Sequence, residues 1–206
     1  MIKKLASLST ATLLCIAVLV TALISMGMNT KDYLAEKTAR RNGTLTEITL
    51  TGEDFQKEGM RWQNEGWGWS ASDGDPQMIL QQSMVLTGVE FYMEYTIYPG
   101  EILMYYTTVN QPQYTNANMA VMSPIEGRDG WFGAYIPATE ITSVRIDPTT
   151  IAGNFMSYGD FVVNPQRTLT DYLMPSSHDL VFMAVYSLAL FAVLSFVKDF
   201  FTKYGK

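Results

Sequence analysis

Two long runs without any charged residue constrain this chain most. The first extends from Leu5 to Thr30, with "LLCIAVLVTALI" at its centre, and the second extends from Leu180 to Val197. A helix needs about 20 mostly apolar residues to cross the ~30 Å hydrocarbon core of a bilayer. Because backbone polar groups in lipid must be satisfied internally, each run is expected to be helical. The sequence therefore predicts transmembrane helices at residues 1–30 and 180–198.

The first run has an alternative interpretation as a secretory signal peptide. Lys3 and Lys4 precede it, and the small residues from Ser25 to Gly27 resemble a cleavage site. Its apolar stretch is longer than the ~7–15 residues usual in a signal peptide, which favours an uncleaved anchor. The sequence alone does not decide whether the first helix is cleaved.

The basic residues at the two ends predict an orientation. Lys3 and Lys4 precede the first helix, and Lys198 and Lys203 follow the second. Cytoplasmic flanks of membrane helices are enriched in lysine and arginine, so both termini, including a tail at residues 199–206, are expected inside. Basic residues at 31–41 oppose this assignment, but large domains translocate largely regardless of charge. The middle of the chain is therefore expected on the outer side.

The middle of the chain changes its periodicity. Residues 31–43, "KDYLAEKTARRNG", predict a helical stalk that Gly43 terminates. From Leu45 onward, short alternating runs rich in Val, Ile, Tyr and Phe are separated by turn residues such as Pro99-Gly100. This pattern is typical of a β-sandwich or jelly roll, which we assign to residues 44–166. Residues 167–179 are then a linker to the second apolar helix.

The composition excludes several chemistries. The chain has a single histidine, a single cysteine and a net charge of −6. A triad that pairs a nucleophile with histidine would have to use His178 at the predicted membrane surface, next to a helix cap, which argues against such a site. Zinc or iron sites built on histidines lack the ligands that they need. The acidic middle segment argues against nucleic acid as a partner. We expect no metal and no cofactor.

Carboxylates remain as the basis of an enzymatic alternative. Paired acids cleave glycosidic bonds, and Asp73, Asp75 and Asp160 are the candidates for a reaction on lipid-linked sugars. No spacing singles out a pair, and "SDGDPQ" around Asp73 and Asp75 is typical of an Asp-Gly turn.

The aromatic residues favour sugar binding. Sugar rings stack on aromatic side chains while polar neighbours hold the hydroxyl groups. The opposing interpretation is core packing, since strands favour aromatic residues in general. The candidate glycan-binding residues are Trp67, Trp69, Tyr105, Tyr106 and Trp131.

The stretch "SVRIDP" combines an arginine and an aspartate on one strand. Arg145 and Asp147 lie two residues apart, so they share a face and could pair with each other or across the sheet. Pro148 ends the strand because it cannot donate to the ladder. We expect Asp147 to accept a hydrogen bond from the backbone of the following turn, which makes the motif structural.

Several short motifs in order resemble a known module. They are a tryptophan-rich strand, "DPQMILQ" at residues 75–81, "EILMYYTTVNQPQYTNANMAVMS", "WFGAYIP" and "SVRIDP". Together they resemble the extracytoplasmic β-jelly-roll module, similar to carbohydrate-binding modules, of bacterial membrane proteins for cell-surface polysaccharide assembly. The resemblance covers about residues 60–165, and it implies this fold and a glycan context. It also implies that Asp75, Arg145 and Asp147 mark the fold.

The leading functional hypothesis is a non-enzymatic accessory subunit in the cytoplasmic membrane. Its β domain would bind a cell-surface glycan or dock onto a membrane glycosyltransferase. One alternative is a scaffold subunit of a larger membrane complex without glycan binding, and another is the carboxylate-based enzyme. The expected partners are the lipid bilayer, a glycan and a membrane glycosyltransferase or other membrane subunit.

Overall fold

The computed structural model describes residues 8–63, 68–174 and 177–204. The chain divides into two compact units. The first comprises Met1–Thr38 and Arg167–Lys206, and its described residues are mainly helical; the second comprises Ala39–Gln166, and its described residues are mainly in strands.

The helical unit contains two long helices and one short helix. These are α1 (Thr10–Arg41), α2 (Leu169–Leu173) and α3 (Ser177–Tyr204). The helices α1 and α3 are both long and apolar enough to cross a membrane. Only 11% and 6% of their most apolar windows are buried within the chain, which is unlike a core helix of a soluble protein. The two predicted apolar helices are therefore present, and their apolar side chains mostly face outward.

Recognisable helix caps lie at the end of the predicted stalk and within the predicted linker. α1 continues through residues 31–41 without a break, and Gly43 follows it with a φ of +72° that favours glycine. Within residues 167–179, Thr168 begins α2 through a capping box with Asp171. The predicted linker thus contains a short helix.

A buried polar contact joins α2 to α1. An Arg167 nitrogen lies 3.3 Å from Glu36 Oε2, and the guanidinium lies 4.0 Å from the ring centroid of Tyr172. Tyr172 also donates a hydrogen bond to Glu36. Since the Glu36 side chain is only 6% exposed, the arginine offsets the cost of burying its charge.

The described residues of the second unit form two antiparallel sheets. In chain order the strands are β1 (Ile48–Leu50), β2 (Gln56–Glu58), β3 (Met60–Gln63), β4 (Gly68–Ala71), β5 (Gln77–Leu80), β6 (Met84–Tyr95), β7 (Leu103–Thr107), β8 (Met119–Val121), β9 (Ser123–Pro124), β10 (Trp131–Ile141), β11 (Ser143–Asp147) and β12 (Phe155–Val163). The seven-stranded sheet has the order β3-β4-β12-β6-β10-β9, with β1 also paired to β12. The five-stranded sheet has the order β2-β5-β11-β7-β8.

The two sheets share one hydrophobic core. On β6, Val89, Phe91 and Met93 are buried, whereas the residues between them belong to the other face. Met104 of β7 and Ile146 of β11 belong to the same core cluster, from the five-stranded side. The sheets therefore pack face to face, and the sequence-based prediction of a β-sandwich is confirmed. Each sheet also has an outer face, away from the core.

Candidate functional site

The structure places the predicted glycan-binding residues on different surfaces. Trp131 pairs with Tyr92, on the outer face of the seven-stranded sheet. Tyr105 pairs with Arg145 on the outer face of the five-stranded sheet, whereas the adjacent Tyr106 packs against the core.

The other two predicted residues are Trp69 and Trp67. Trp69 pairs with the fully buried Met156, so it lies on the core-facing side near the sheet edge. Trp67 lies outside the described residues. The described members of the predicted set therefore do not form one site.

Trp69 belongs to an aromatic cluster at the edge of the sandwich. Its ring makes an edge contact with Trp62 at 5.5 Å and is stacked with Tyr158 at 6.4 Å between centroids. The ammonium group of Lys57 lies 4.9 Å from the Trp69 ring, and the lysine side chain is only 9% exposed. Only Trp62 is well exposed in this cluster, at 60%. These contacts indicate side-chain packing at the edge of the sheet.

The outer face of the five-stranded sheet centres on Arg145. Its Nε donates to Asp147 Oδ1 and its Nη2 to Asp147 Oδ2, both at 2.6 Å. The same Nη2 donates to Asp75 Oδ1 at 2.9 Å. The rings of Tyr105 and Tyr114 lie 5.1 Å and 5.7 Å from the guanidinium. Arg145 is thus surrounded by partners from its own chain.

One detail of the expected "SVRIDP" motif is corrected. Asp147 accepts from Arg145, and in the following turn it is Thr149 that accepts a backbone hydrogen bond, from Ile151 N at 3.0 Å. Burial raises the pKa of Asp147, while the hydrogen bonds to Asp147 raise the pKa of Arg145. The arginine therefore compensates a carboxylate that is costly to bury.

The outer face of the seven-stranded sheet carries a different arrangement, which we call the platform. It consists of Glu90, Tyr92, Glu94, Arg128, Trp131 and Tyr135. Glu90, Tyr92 and Glu94 alternate with core residues along β6, so their side chains share the outer face. Trp131 and Tyr135 lie on the neighbouring strand β10. Cross-strand pairing brings the rings of Trp131 and Tyr92 to a centroid distance of 6.1 Å.

Glycines allow the tyrosine rings of the platform to lie against the backbone. A Cβ at Gly88 would lie 2.6 Å from Tyr135 Cδ1, and a Cβ at Gly130 would lie 2.6 Å from Tyr92 Cε2. Both distances are shorter than real carbon contacts, so a side chain at either position would push the ring away. The glycines thereby fix the position of both rings.

Polar groups hold the aromatic rings of the platform in place. Glu90 is 7% exposed; its Oε2 accepts from Arg128 at 2.5 Å and its Oε1 accepts from the hydroxyl of Tyr135. The guanidinium of Arg128 lies 3.8 Å from the ring centroid of Trp131. Tyr92 donates to Glu94, and this hydrogen bond raises the pKa of Tyr92. The platform combines stacking surfaces with fixed hydrogen-bonding groups.

A groove continues from one end of the platform. It has a volume of about 580 Å³ and is lined by residues 92–99, Asp129 and Gly130. Tyr92 and Glu94 therefore belong to both the platform and the groove. Small-molecule sites in proteins have volumes of ~300–1,000 Å³ and combine apolar walls with a few polar groups. The groove has this size and composition, although it is open to solvent.

Two carboxylates of the platform lie on the same strand. Glu90 and Glu94 are four residues apart on β6, so their Cα atoms are separated by ~13 Å at ~3.3 Å per residue. Catalytic carboxyl pairs are ~5–9.5 Å apart. The structure also does not bring the three candidate catalytic acids together. Asp73 and Asp75 precede β5, whereas Asp160 lies on β12 of the other sheet. Among the described residues, no cluster of His, Cys, Asp and Glu suits a metal ion.

The predicted binding set lacked five platform residues: Glu90, Tyr92, Glu94, Arg128 and Tyr135. A signal for three of them exists in "VEFYMEY", where Glu, Tyr and Glu alternate with Phe and Met. Such alternation indicates one buried and one exposed face. Arg128 lies in a turn, and no pattern in the sequence relates it to Trp131.

Comparisons with known proteins found structural similarity only. No known protein family and no curated protein matches the chain by sequence. A low-affinity xylan-binding module, CBM86, from Roseburia intestinalis is 14% identical, covers 58% of this chain and 95% of its own, and has a TM-score of 0.38. A family 6 carbohydrate-binding module from Clostridium cellulolyticum, solved with xylose, is 8% identical over 57% and 97%, with a TM-score of 0.40.

A variant of a family 29 carbohydrate-binding module is also similar. It is 10% identical, covers 62% of this chain and 96% of its own, and has a TM-score of 0.42.

Proposed function

We propose that this chain is a membrane-anchored, non-catalytic protein whose β-sandwich binds a cell-surface glycan on the platform. The observation that carries the proposal is the pairing of Trp131 with Tyr92, beside carboxylates on the same outer face. The C–H faces of a sugar stack on such rings, and carboxylates accept hydrogen bonds from its hydroxyl groups.

The membrane anchor is supported by the two outward-facing apolar helices. A bilayer would cover the apolar surface of α1 and α3 that the chain leaves exposed. The basic flanks favour a cytoplasmic location for both termini and an outer location for the sandwich at a cytoplasmic membrane. There the sandwich would reach glycans as they are assembled, and a membrane glycosyltransferase is the partner that this location implies.

The non-catalytic role is supported by the contacts of Glu90. This side chain is buried, and its two oxygens accept hydrogen bonds from Arg128 and Tyr135, so it does not offer a glycosidase a second reactive carboxyl group. We therefore assign Glu90 to holding Arg128 and Tyr135 in place, and the exposed Glu94 to binding.

A binding experiment on the full chain in detergent micelles tests the proposal. Neutral and charged cell-wall oligosaccharides are titrated by calorimetry against the wild type, Trp131→Ala and Trp62→Ala. We expect Trp131→Ala to weaken binding by about tenfold, equivalent to ~1.4 kcal/mol. Trp62→Ala is the matched control, since this exposed tryptophan belongs to the edge cluster and not to the platform.

Two outcomes would contradict the proposal. If Trp62→Ala abolished binding and Trp131→Ala did not, the glycan site would lie at the edge cluster of Trp62 and Trp69. If no glycan bound at all, and the wild type instead purified as a stable complex with other membrane proteins, the scaffold role would replace glycan binding.

A further inference from the structure

The groove beside the platform has an unusually exposed apolar rim. Ile97 is 52% exposed and Tyr98 is 83% exposed, and both follow β6 directly. Adjacent large apolar residues on the rim of a concave surface are typical of a ligand site.

The rim is held in place by a buried side chain. Asn154 is fully buried; its Nδ2 donates to Ile97 O at 3.2 Å, and its Oδ1 accepts from Thr96 Oγ1 at 3.3 Å. Pro99 O accepts from Thr149 Oγ1 at 2.6 Å and from Thr150 N at 3.0 Å. The segment that exposes Ile97 and Tyr98 is therefore preorganised, which lowers the entropic cost of binding a ligand.

The charges in the groove all have one sign. Among the described residues that line it, Glu94 and Asp129 are acidic, and no lysine or arginine is present. The nearby Arg128 is directed to Glu90 and to the ring of Trp131. The electron-rich faces of Tyr92 and Tyr98 also attract cations. Both kinds of group favour a positively charged ligand and disfavour an anionic one.

We propose that the groove binds an amine-bearing sugar unit of the glycan that occupies the platform. The protonated amine lies between Glu94 and Asp129, and the sugar ring contacts Tyr98. This inference rests on the proposed function and specifies the substrate class of the same surface. Glycans rich in uronic acid or phosphate are excluded by like-charge repulsion.

The test compares two probes that differ only in the amine. Oligosaccharides of β-1,4-linked glucosamine and their N-acetylated counterparts are titrated against the full chain in detergent, at a pH where the free amines are protonated. We expect the glucosamine form to bind more tightly. Asp129→Asn and Glu94→Gln should each reduce that preference by roughly two- to fivefold, the range of one partly exposed charge pair.

A matched variant distinguishes a direct contact of the amine with Asp129 from a general electrostatic attraction by nearby acidic residues. Glu126 is an exposed acid in the turn near Asp129 but is not part of the groove lining. Glu126→Gln should leave the preference unchanged, because an exposed charge away from the ligand is screened by solvent and salt. If Glu126→Gln reduced the preference as much as Asp129→Asn, the local site would be disproved.

Failure of this inference can be distinguished from failure of the proposed function. Equal binding of the two probes, or no binding of the glucosamine form, overturns the amine site. If neutral oligosaccharides still bound through Trp131 in either case, the glycan-binding role would remain. Loss of all glycan binding would remove both.

Discussion

The outer faces of the two sheets each carry an arginine set between aromatic rings and carboxylates. On the five-stranded sheet, the Arg145 side chain is 17% exposed, and it bonds to Asp75 and Asp147. Beside the seven-stranded sheet, the Arg128 side chain is 41% exposed, and it bonds to Glu90. Both guanidinium groups lie near aromatic rings. The same residue types therefore occur in two settings that differ in their access to solvent.

This difference in solvent exposure indicates that the same residue types have different roles on the two faces. On the five-stranded face the polar groups satisfy one another, and the arrangement stabilises the sheet. On the platform, Tyr135 is 40% exposed and the groove is open beside Tyr92 and Glu94. Binding requires groups that remain accessible, so the platform is the better candidate for a ligand.

The largest expected effect on stability is at the outer face of the five-stranded sheet. Arg145→Ala leaves the buried Asp147 without its counter-ion, which should reduce the free energy of unfolding by roughly 3–5 kcal/mol. Thermal unfolding of the full chain in detergent, followed by circular dichroism, measures this loss. Asp147→Asn should cost less, because the remaining charge of Arg145 keeps its contact with Asp75. If Arg145→Ala unfolded like the wild type, the buried pair would be irrelevant to stability.

The stability of the same variant should also depend differently on pH. A carboxyl whose folded pKa is raised binds its proton more tightly in the folded state, so stability increases as the pH falls through the raised pKa. Burial already raises the pKa of Asp147, and removing Arg145 raises it further. Arg145→Ala should therefore regain part of its lost stability under acidic conditions, relative to the wild type. The double variant Arg145→Ala/Asp147→Asn should lack this gain, as measured by melting temperatures over a pH series.

A substitution of Gly88, beneath the platform, should have an intermediate effect on stability. A Cβ at Gly88 would lie 2.6 Å from Tyr135 Cδ1 and 2.7 Å from Ala134 O. Gly88→Ala should therefore cost about 1–3 kcal/mol of stability, as overpacking does. Because it displaces Tyr135, it should also weaken glycan binding in the calorimetric assay. Gly27→Ala is the control, since its new Cβ has nothing within 4 Å; equal effects of both variants would contradict the role of Gly88.

The smallest expected effect concerns the exposed arginine. Arg128→Ala should reduce stability by about 1–2 kcal/mol, less than Arg145→Ala, because the buried Glu90 keeps the hydrogen bond from Tyr135. Removing the guanidinium uncovers one face of Trp131, so quenching of tryptophan fluorescence by acrylamide should increase. A stability loss as large as that of Arg145→Ala would show that the two faces do not differ in this respect.

The sequence predicted the elements better than the site. Apolar runs without charge predicted α1 and α3, and alternation with frequent turns predicted the sandwich, because both signals are local. The predicted binding set was chosen by residue type, and the structure distributes it over several surfaces. Tyr105 and Tyr106 illustrate the reason: neighbours on a strand face opposite sides, so they cannot belong to one stacking surface.

The motif around Arg145 was only partly predictable. Two-residue spacing correctly placed Arg145 and Asp147 on one face. The contact with Asp75, which is 70 residues away in the chain, depends on the pairing of β5 with β11. The turn bond assigned to Asp147 belongs to Thr149, because the arginine occupies the aspartate oxygens.

Local composition and periodicity were enough to predict the two apolar helices and the all-β middle from the sequence. Only the tertiary structure decided which aromatic residues face solvent and which carboxylates accompany them. The pairing of β6 with β10 brings Tyr92 beside Trp131, and it also determines that Glu90 and Glu94 face away from the core. Local periodicity divides a strand into two sets of residues, but packing against the second sheet decides which set is buried.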